Sequence, residues 1–308
     1  MPDNKIDSNQ YAYLVKLAAF AATATALILV VLKLYAYFVT DASAMLASAT
    51  DSILDLFASI MNVVILRFAL APADKEHKFG HGKAESLAGL VQAAFVLGSA
   101  LLLVFNGVDR IINPQEVVRT EVGIIVSIIA IVMTLMLVVL QKYVIHQTKS
   151  VAISADALHY QSDLILNLGV LAALFLSQGY WLQADGFFTV AVAIFLLMGA
   201  GKIIWTSVHQ LMDHELTAEE LSIIKKIVLA HEGTHGLHEL RTRQAGPDRF
   251  IQFHLELDGE LSLLEAHTIG EAIELEIIAA LAPCEVFIHH DPLSAANHQD
   301  NTDDIKRV

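Results

Sequence analysis

Six apolar runs, each long enough to cross a bilayer as a helix, limit what this chain can fold into more than any other feature. A spanning helix needs about 20 mostly apolar residues. In hydrocarbon, a backbone satisfies its own hydrogen bonds only as a helix or a closed barrel. The runs cover Leu14–Phe38, broken only by Lys16 and Lys33; Ala42–Leu70; Ser86–Val108; Val122–Leu140, which carries no charge; Val151–Leu176; and Phe187–Val208, with Lys202 as its one charge. The segment before them is short and polar, and the first run is too long for a signal-peptide core, so it reads as a retained span.

After about His209 the pattern changes. Residues 1–208 carry 12 Lys+Arg and 14 Asp+Glu, whereas residues 209–308 carry 7 and 19. Thr217-Ala218-Glu219-Glu220 and Ser262-Leu263-Leu264-Glu265 are capping boxes, each opening a helix. Leu237–Arg243 reads as a strand, Gly246-Pro247 as a turn, and Ile251, Phe253, Leu255 and Leu257 alternate with polar residues as in a half-buried strand. Glu285–His289 is a short last strand. The expected fold is therefore an all-α six-helix membrane domain (1–208), then a small cytoplasmic α+β domain of order α-β-β-α-β (209–296), then a disordered tail (297–308).

Short-loop cations set the orientation. Lys5, Lys16, Arg67, Lys75, Lys78, Lys83, Lys142 and Lys149 fall on one side, against Arg110 and Arg119 on the other, which places both termini in the cytoplasm. The acidic balance excludes nucleic acid as a partner. The one cysteine, Cys284, excludes an intrachain disulfide and a four-cysteine zinc site.

Chemistry enters where the apolar runs carry charge. Asp51 and Asp55 are four apart in the second run, and His159 and Asp163 are four apart in the fifth, so each pair shares one helix face. Small residues around both pairs (Ala47, Ser48, Ala49; Ser154, Ala155, Ala157) allow close helix approach. Three carboxylates and one imidazole suit a divalent transition metal, zinc first. The bland alternative is a structural polar network. With no Lys or Arg nearby to neutralise them, three buried acids would need protons or a metal, and that competition is itself a mechanism.

Two further clusters lie outside the spans. Asp74, His77 and His81, on the connection between the second and third runs, can form a three-ligand loop site, with a solvated charged loop as the alternative. In the soluble part, His238 and His254 stand on neighbouring strands, His267 on the second helix, and His289-His290-Asp291 at the end of the last strand. His231-Glu232-Gly233-Thr234-His235 matches the zinc-protease pattern H-E-x-x-H. That motif needs an unbroken helix, and Gly233 and Gly236 sit where this helix ends, so a protease is rejected.

At these residues the chain resembles the cation diffusion facilitator family, and within it the bacterial zinc transporters. The matching text is Asp51-Ser52-Ile53-Leu54-Asp55, Pro72-Ala73-Asp74 with Phe79-Gly80-His81-Gly82-Lys83-Ala84-Glu85, Ala155 to Asp163, Leu240 to Gln244, and Ile251 to Glu256. The resemblance implies a transport site of Asp51, Asp55, His159 and Asp163, and a loop site of Asp74, His77 and His81. It also implies a two-metal site at a cytoplasmic dimer interface from His238, His254, His267, His289 and Asp291. Where His290 stands, the family often has Gln, which leaves backbone or side-chain binding open. Lys83 and Asp213 are implied to pair near the dimer centre. The implied activity is proton-coupled antiport by a homodimer in the bacterial inner membrane, exporting Zn2+, with Cd2+ and Fe2+ as further substrates, and no enzymatic reaction. Zn2+ would be both substrate and structural metal.

Two other classes fit the sequence less well. A membrane-tethered metal sensor needs only anchors and has no use for four ligands in mid-span. A channel is disfavoured because a tight four-ligand cage releases ions slowly. The sequence contains no Walker A motif, which disfavours an ATP-driven pump.

Overall fold

The computed structural model describes residues 8–40, 43–113, 121–176 and 184–293. The expected tail at 297–308, and the orientation markers Lys5 and Arg119, lie outside the described residues. The chain divides into two compact units, Asn9–Val208 and a second beginning at His209.

Among the described residues, six helices make up the first unit: α1 (Ser8–Thr40), α2 (Ser43–Ala69), α3 (Lys83–Ile112), α4 (Glu121–Thr148), α5 (Val151–Leu176) and α6 (Ala184–Leu211). Among the described residues, α1, α2, α3, α4 and α6 are long and apolar enough to cross a membrane. The remaining helix, α5, is the one interrupted by Asp156, His159 and Asp163. Large apolar side chains such as Phe38, Phe105, Met136 and Trp205 point outward, as a lipid-facing surface requires. Where helices meet, the contacts are small: Ala18, Ala36, Ala49, Ala93, Ala152, Ala155 and Ala157 are essentially inaccessible.

Helix α4 runs past Leu140, where its apolar run stops, to Thr148. In this extension Gln141 is polar yet fully buried and bonded to Asp156 on α5. The reversal into α5 takes two residues. Lys149 adopts a left-handed φ of 53° and donates its N–H to Ile145 O, and Ser150 Oγ accepts from Ile153 N as an N-cap.

The second unit has α7 (Ala218–Ala230), β1 (Thr234–Ala245), β2 (Asp248–Leu257), α8 (Leu263–Leu281) and β3 (Cys284–Pro292). Both capping boxes form, Thr217 with Glu220 and Ser262 with Glu265. The sheet order is β1-β2-β3, with β1 antiparallel and β3 parallel to β2. Ile251, Phe253, Leu255 and Leu257 pack with Ile224, Val228, Ile273, Ile277 and Leu281, so both helices cover one sheet face. The other face, with Gln252, His254 and Glu256, carries the polar groups. His231 caps the end of α7 and His235 lies on β1, so the protease-like motif has no continuous helix.

Candidate metal sites

On the helix pair α2/α5, Asp55, His159 and Asp163 each offer a ligand atom, all within 4.8 Å of one another. His159 Nε2 lies 2.8 Å from Asp55 Oδ1 and 3.6 Å from Asp163 Oδ2. The cluster is held by its neighbour Tyr160, whose hydroxyl is 2.8 Å from Ser59 Oγ on α2 and donates to Ala22 O on α1 at 3.3 Å. Ser162 Oγ donates to His159 O at 2.5 Å. Asp51, one turn before Asp55, is exposed and is not in the three-residue group.

The expectation that no cation stands near these acids needs correction. Lys33, on α1, donates to Ser52 Oγ at 2.7 Å and to Ser48 O at 3.3 Å, the two serines that flank Asp51 on α2. Lys33 is far from the acids in sequence, and only the packing of α1 against α2 brings it there. A lysine deep in an apolar run was the available signal.

In the α2–α3 connection, Asp74, His77 and His81 also form a three-ligand group. Asp74 Oδ1 accepts from the backbone N–H of His77 at 2.6 Å and of Glu76 at 2.8 Å, and the His77 bond chiefly holds the Asp74 carboxyl below its usual range. Both His77 Nδ1 and His81 Nε2 lie 3.4 Å from this carboxylate. His81 Nδ1 is 3.3 Å from Ala71 O, a contact in which the ring N–H donates and leaves Nε2 to bind metal. Gly80, at φ 76°, supplies the left-handed turn that folds His81 back.

In the soluble unit, His238, His254 and Asp291 form the third group. Register does the assembling: His238 pairs with His254 across β1–β2, and His254 and Glu256 pair with His289 and Asp291 across β2–β3. Asp291 Oδ2 lies 2.8 Å from His254 Nδ1 and 3.3 Å from His238 Nε2, and Asp291 Oδ1 lies 3.1 Å from His289 Nε2. Glu256 was not among the expected site residues. Its Oε1 accepts from His238 Nδ1 at 2.9 Å, which orients Nε2 toward Asp291. Its alternation with His254 along β2 was the signal.

His267 and His290 do not join this cluster. His290 pairs with Leu255 and so faces the helix layer, its ring over the bare backbone of Gly270, where a Cβ would collide with Nε2. Burial, then the charges of His267 and His289, push its pKa down. His267 is exposed on α8, on the helix side of the sheet. Asp213, with a left-handed φ of 57°, has its carboxylate 3.6 Å from Arg243 Nη1 within its own unit, and Lys83 is the first residue of α3 in the other.

Comparison with known proteins decides the family. The cation efflux transmembrane domain matches residues 19–212, and the cytoplasmic domain of cation efflux proteins matches residues 216–293. The chain belongs to the cation efflux family. It is a multi-pass membrane protein that moves metal cations, with a helical transport domain and a small cytoplasmic α/β domain. A relative from Shewanella oneidensis named cation-efflux pump FieF is 49% identical over 286 residues, covering 93% of this chain and 97% of its own. The Klebsiella pneumoniae protein of the same name is 44% identical over 287 residues, covering 93% and 96%. A structure of CzrB in its zinc form is 29% identical over 27% of this chain and 94% of its own, with a TM-score of 0.25.

Proposed function

We propose that this cation efflux protein exports Zn2+ from the cytoplasm in exchange for protons, with Cd2+ and Fe2+ as further substrates. Asp55, His159 and Asp163 bind the transported ion, and Asp51 completes the set when α2 and α5 shift. The observation that carries this reading is the contact of His159 Nε2 with two carboxylates inside a helix pair. One nitrogen lone pair takes either a proton, which it then donates to Asp55, or a metal. Loading metal therefore releases a proton, and a proton arriving from the far side ejects the metal.

In this reading the protein sits in the bacterial inner membrane with both termini cytoplasmic, and works as a homodimer. His238, His254, His289 and Asp291 hold structural Zn2+ on the open sheet face. His267, on the opposite layer of its own domain, reaches such a site only from a second copy. The loop group Asp74, His77 and His81 is a separate Zn2+ site. Lys83 and Asp213 form an ion pair at the dimer centre: Lys83→Ala and Asp213→Ala should each slow transport, and the double variant should be no worse, whereas additive losses would separate their roles.

The deciding experiment is metal uptake into proteoliposomes with Zn2+, Cd2+, Fe2+ and Mn2+, with and without a pH gradient. Zinc flux that follows the gradient is expected, and flux indifferent to it removes the exchange. Spin-label distances between the two cytoplasmic domains with and without chelator test the structural zinc, whose removal should let these acidic domains separate.

A further inference from the structure

Asp156 is an acid that the proposed transport cycle does not use. It is fully buried in α5, one turn before His159, and it is not in the ligand group of that site. Its partner is Gln141 of α4, also fully buried, whose Nε2 donates to Asp156 Oδ2 at 2.7 Å. Among the described residues, neither of the remaining oxygens, Asp156 Oδ1 and Gln141 Oε1, has a hydrogen-bond partner. The charged and titratable groups acting on Asp156 are His159 and Tyr160 on its own helix and Asp55 on α2.

An ionised carboxylate in this position would leave one oxygen unsolvated, and the amide that donates to it carries an unpaired acceptor of its own. Each unsatisfied buried polar group costs on the order of 1–3 kcal/mol, and more when charged. A single proton on Oδ1 removes both defects, because O–H then donates to Gln141 Oε1 while Gln141 Nε2 donates to Oδ2. Acid and amide close a ring of two hydrogen bonds, and no charge remains to be solvated.

We propose that Asp156 is held as the neutral acid, paired with Gln141 through two hydrogen bonds, and that this pair is a positioning element that fixes α5 to α4 one turn from His159. Asp156 then neither binds metal nor carries the exchanged proton. Its role in positioning His159 rests on the transport-site reading above, but its protonation state does not.

Two measurements separate these parts. Infrared spectroscopy of the full-length protein in lipid should show a protonated carboxyl C=O band that persists into mildly alkaline buffer, disappears in Asp156→Asn and shifts in Gln141→Leu. Absence of a band sensitive to both changes overturns the neutral acid, whatever the transport result. For transport, Asp156→Asn preserves both hydrogen bonds, since its Nδ2 donates to Gln141 Oε1. It should keep metal flux within about twofold and leave the pH profile in place, while Asp156→Ala, with the pair gone and a cavity beside α4, should lose about tenfold or more. A folded Asp156→Asn with a displaced pH profile would show that the native residue carries a titrating charge and overturn the proposal. An Asp156→Ala protein with full flux would overturn the positioning role. Should Asp156→Asn fail to fold, the wild-type and Gln141→Leu spectra still decide the protonation state.

Discussion

The helix-borne cluster and the strand-borne cluster are built from the same ligand types but assembled by different forces. In the soluble unit, His238, His254, His289 and Asp291 are neighbours because backbone ladders join their strands residue by residue. A change in their spacing would require breaking sheet register, which would move every core residue of that strand to the wrong face. In the membrane unit, Asp55 meets His159 and Asp163 only through packing of α2 on α5, supported by Tyr160 and Ser59. Helices packed through alanines can slide or tilt with modest loss of contact. The first arrangement suits a metal that stays, and the second suits one that must be bound and released.

The largest expected effect breaks the membrane cluster. Asp55→Ala or Asp163→Ala each remove a proposed direct ligand, where even loss of an outer partner costs about 10–100-fold in affinity. Zinc flux into proteoliposomes should fall below detection while the soluble domain keeps its metal. Wild-type flux in either variant removes the assignment.

Asp291→Ala tests the other side. It deletes the carboxylate that three histidines share. Zinc binding by the soluble unit, followed by calorimetric titration, should weaken by at least about 10–100-fold. Flux should fall less than in Asp163→Ala. Equal losses would mean that the two clusters are not separate in function.

His159→Asp sharpens the comparison by exchanging the one imidazole of the membrane set for an oxygen ligand. Binding should shift toward Mn2+, which prefers oxygen, and the dependence of initial rate on pH should move for Zn2+. Superimposed curves for both metals would leave His159 neither selectivity ligand nor proton carrier.

Lys33→Met removes the ammonium held at Ser48 and Ser52. One positive charge at partly screened distance is worth on the order of 1–2 kcal/mol. Half-saturating zinc should therefore drop by roughly tenfold, and Lys33→Arg should resemble wild type. An unchanged value for Lys33→Met would show that the lysine does not act on the site.

The smallest effect is confined to the soluble unit. Glu220 lies in a half-buried setting that opposes its charge, yet bonds from Thr217 and Arg249 hold its pKa below the ordinary 4.5. Its contribution is complete above that value and is lost as pH falls through the lower folded value. Glu220→Gln should destabilise the soluble unit by about 0.5–1 kcal/mol at neutral pH, with the difference vanishing in acid. Equal melting of both proteins at pH 7 would show that the cap contributes nothing.

Periodicity along the chain determined most of the architecture. Apolar run lengths marked the membrane helices, capping boxes located the starts of α7 and α8, and alternation in Ile251–Leu257 assigned its core face. Spacing of i, i+4 put His159 and Asp163 on one face. These are properties of a single element, set by 3.6- and 2-residue repeats that any reader of the sequence can count. What crosses between elements was decided only by the tertiary structure. Packing of α1 on α2 brought Lys33 beside the acids. Packing of α4 on α5 joined Gln141 to Asp156, past the point where hydropathy alone ends the α4 run. The parallel register of β3 on β2 turned His289 and Asp291 to the open face and His290 to Gly270. Distances across a contact depend on how two surfaces fit, and the fit is a property of the folded pair rather than of either segment.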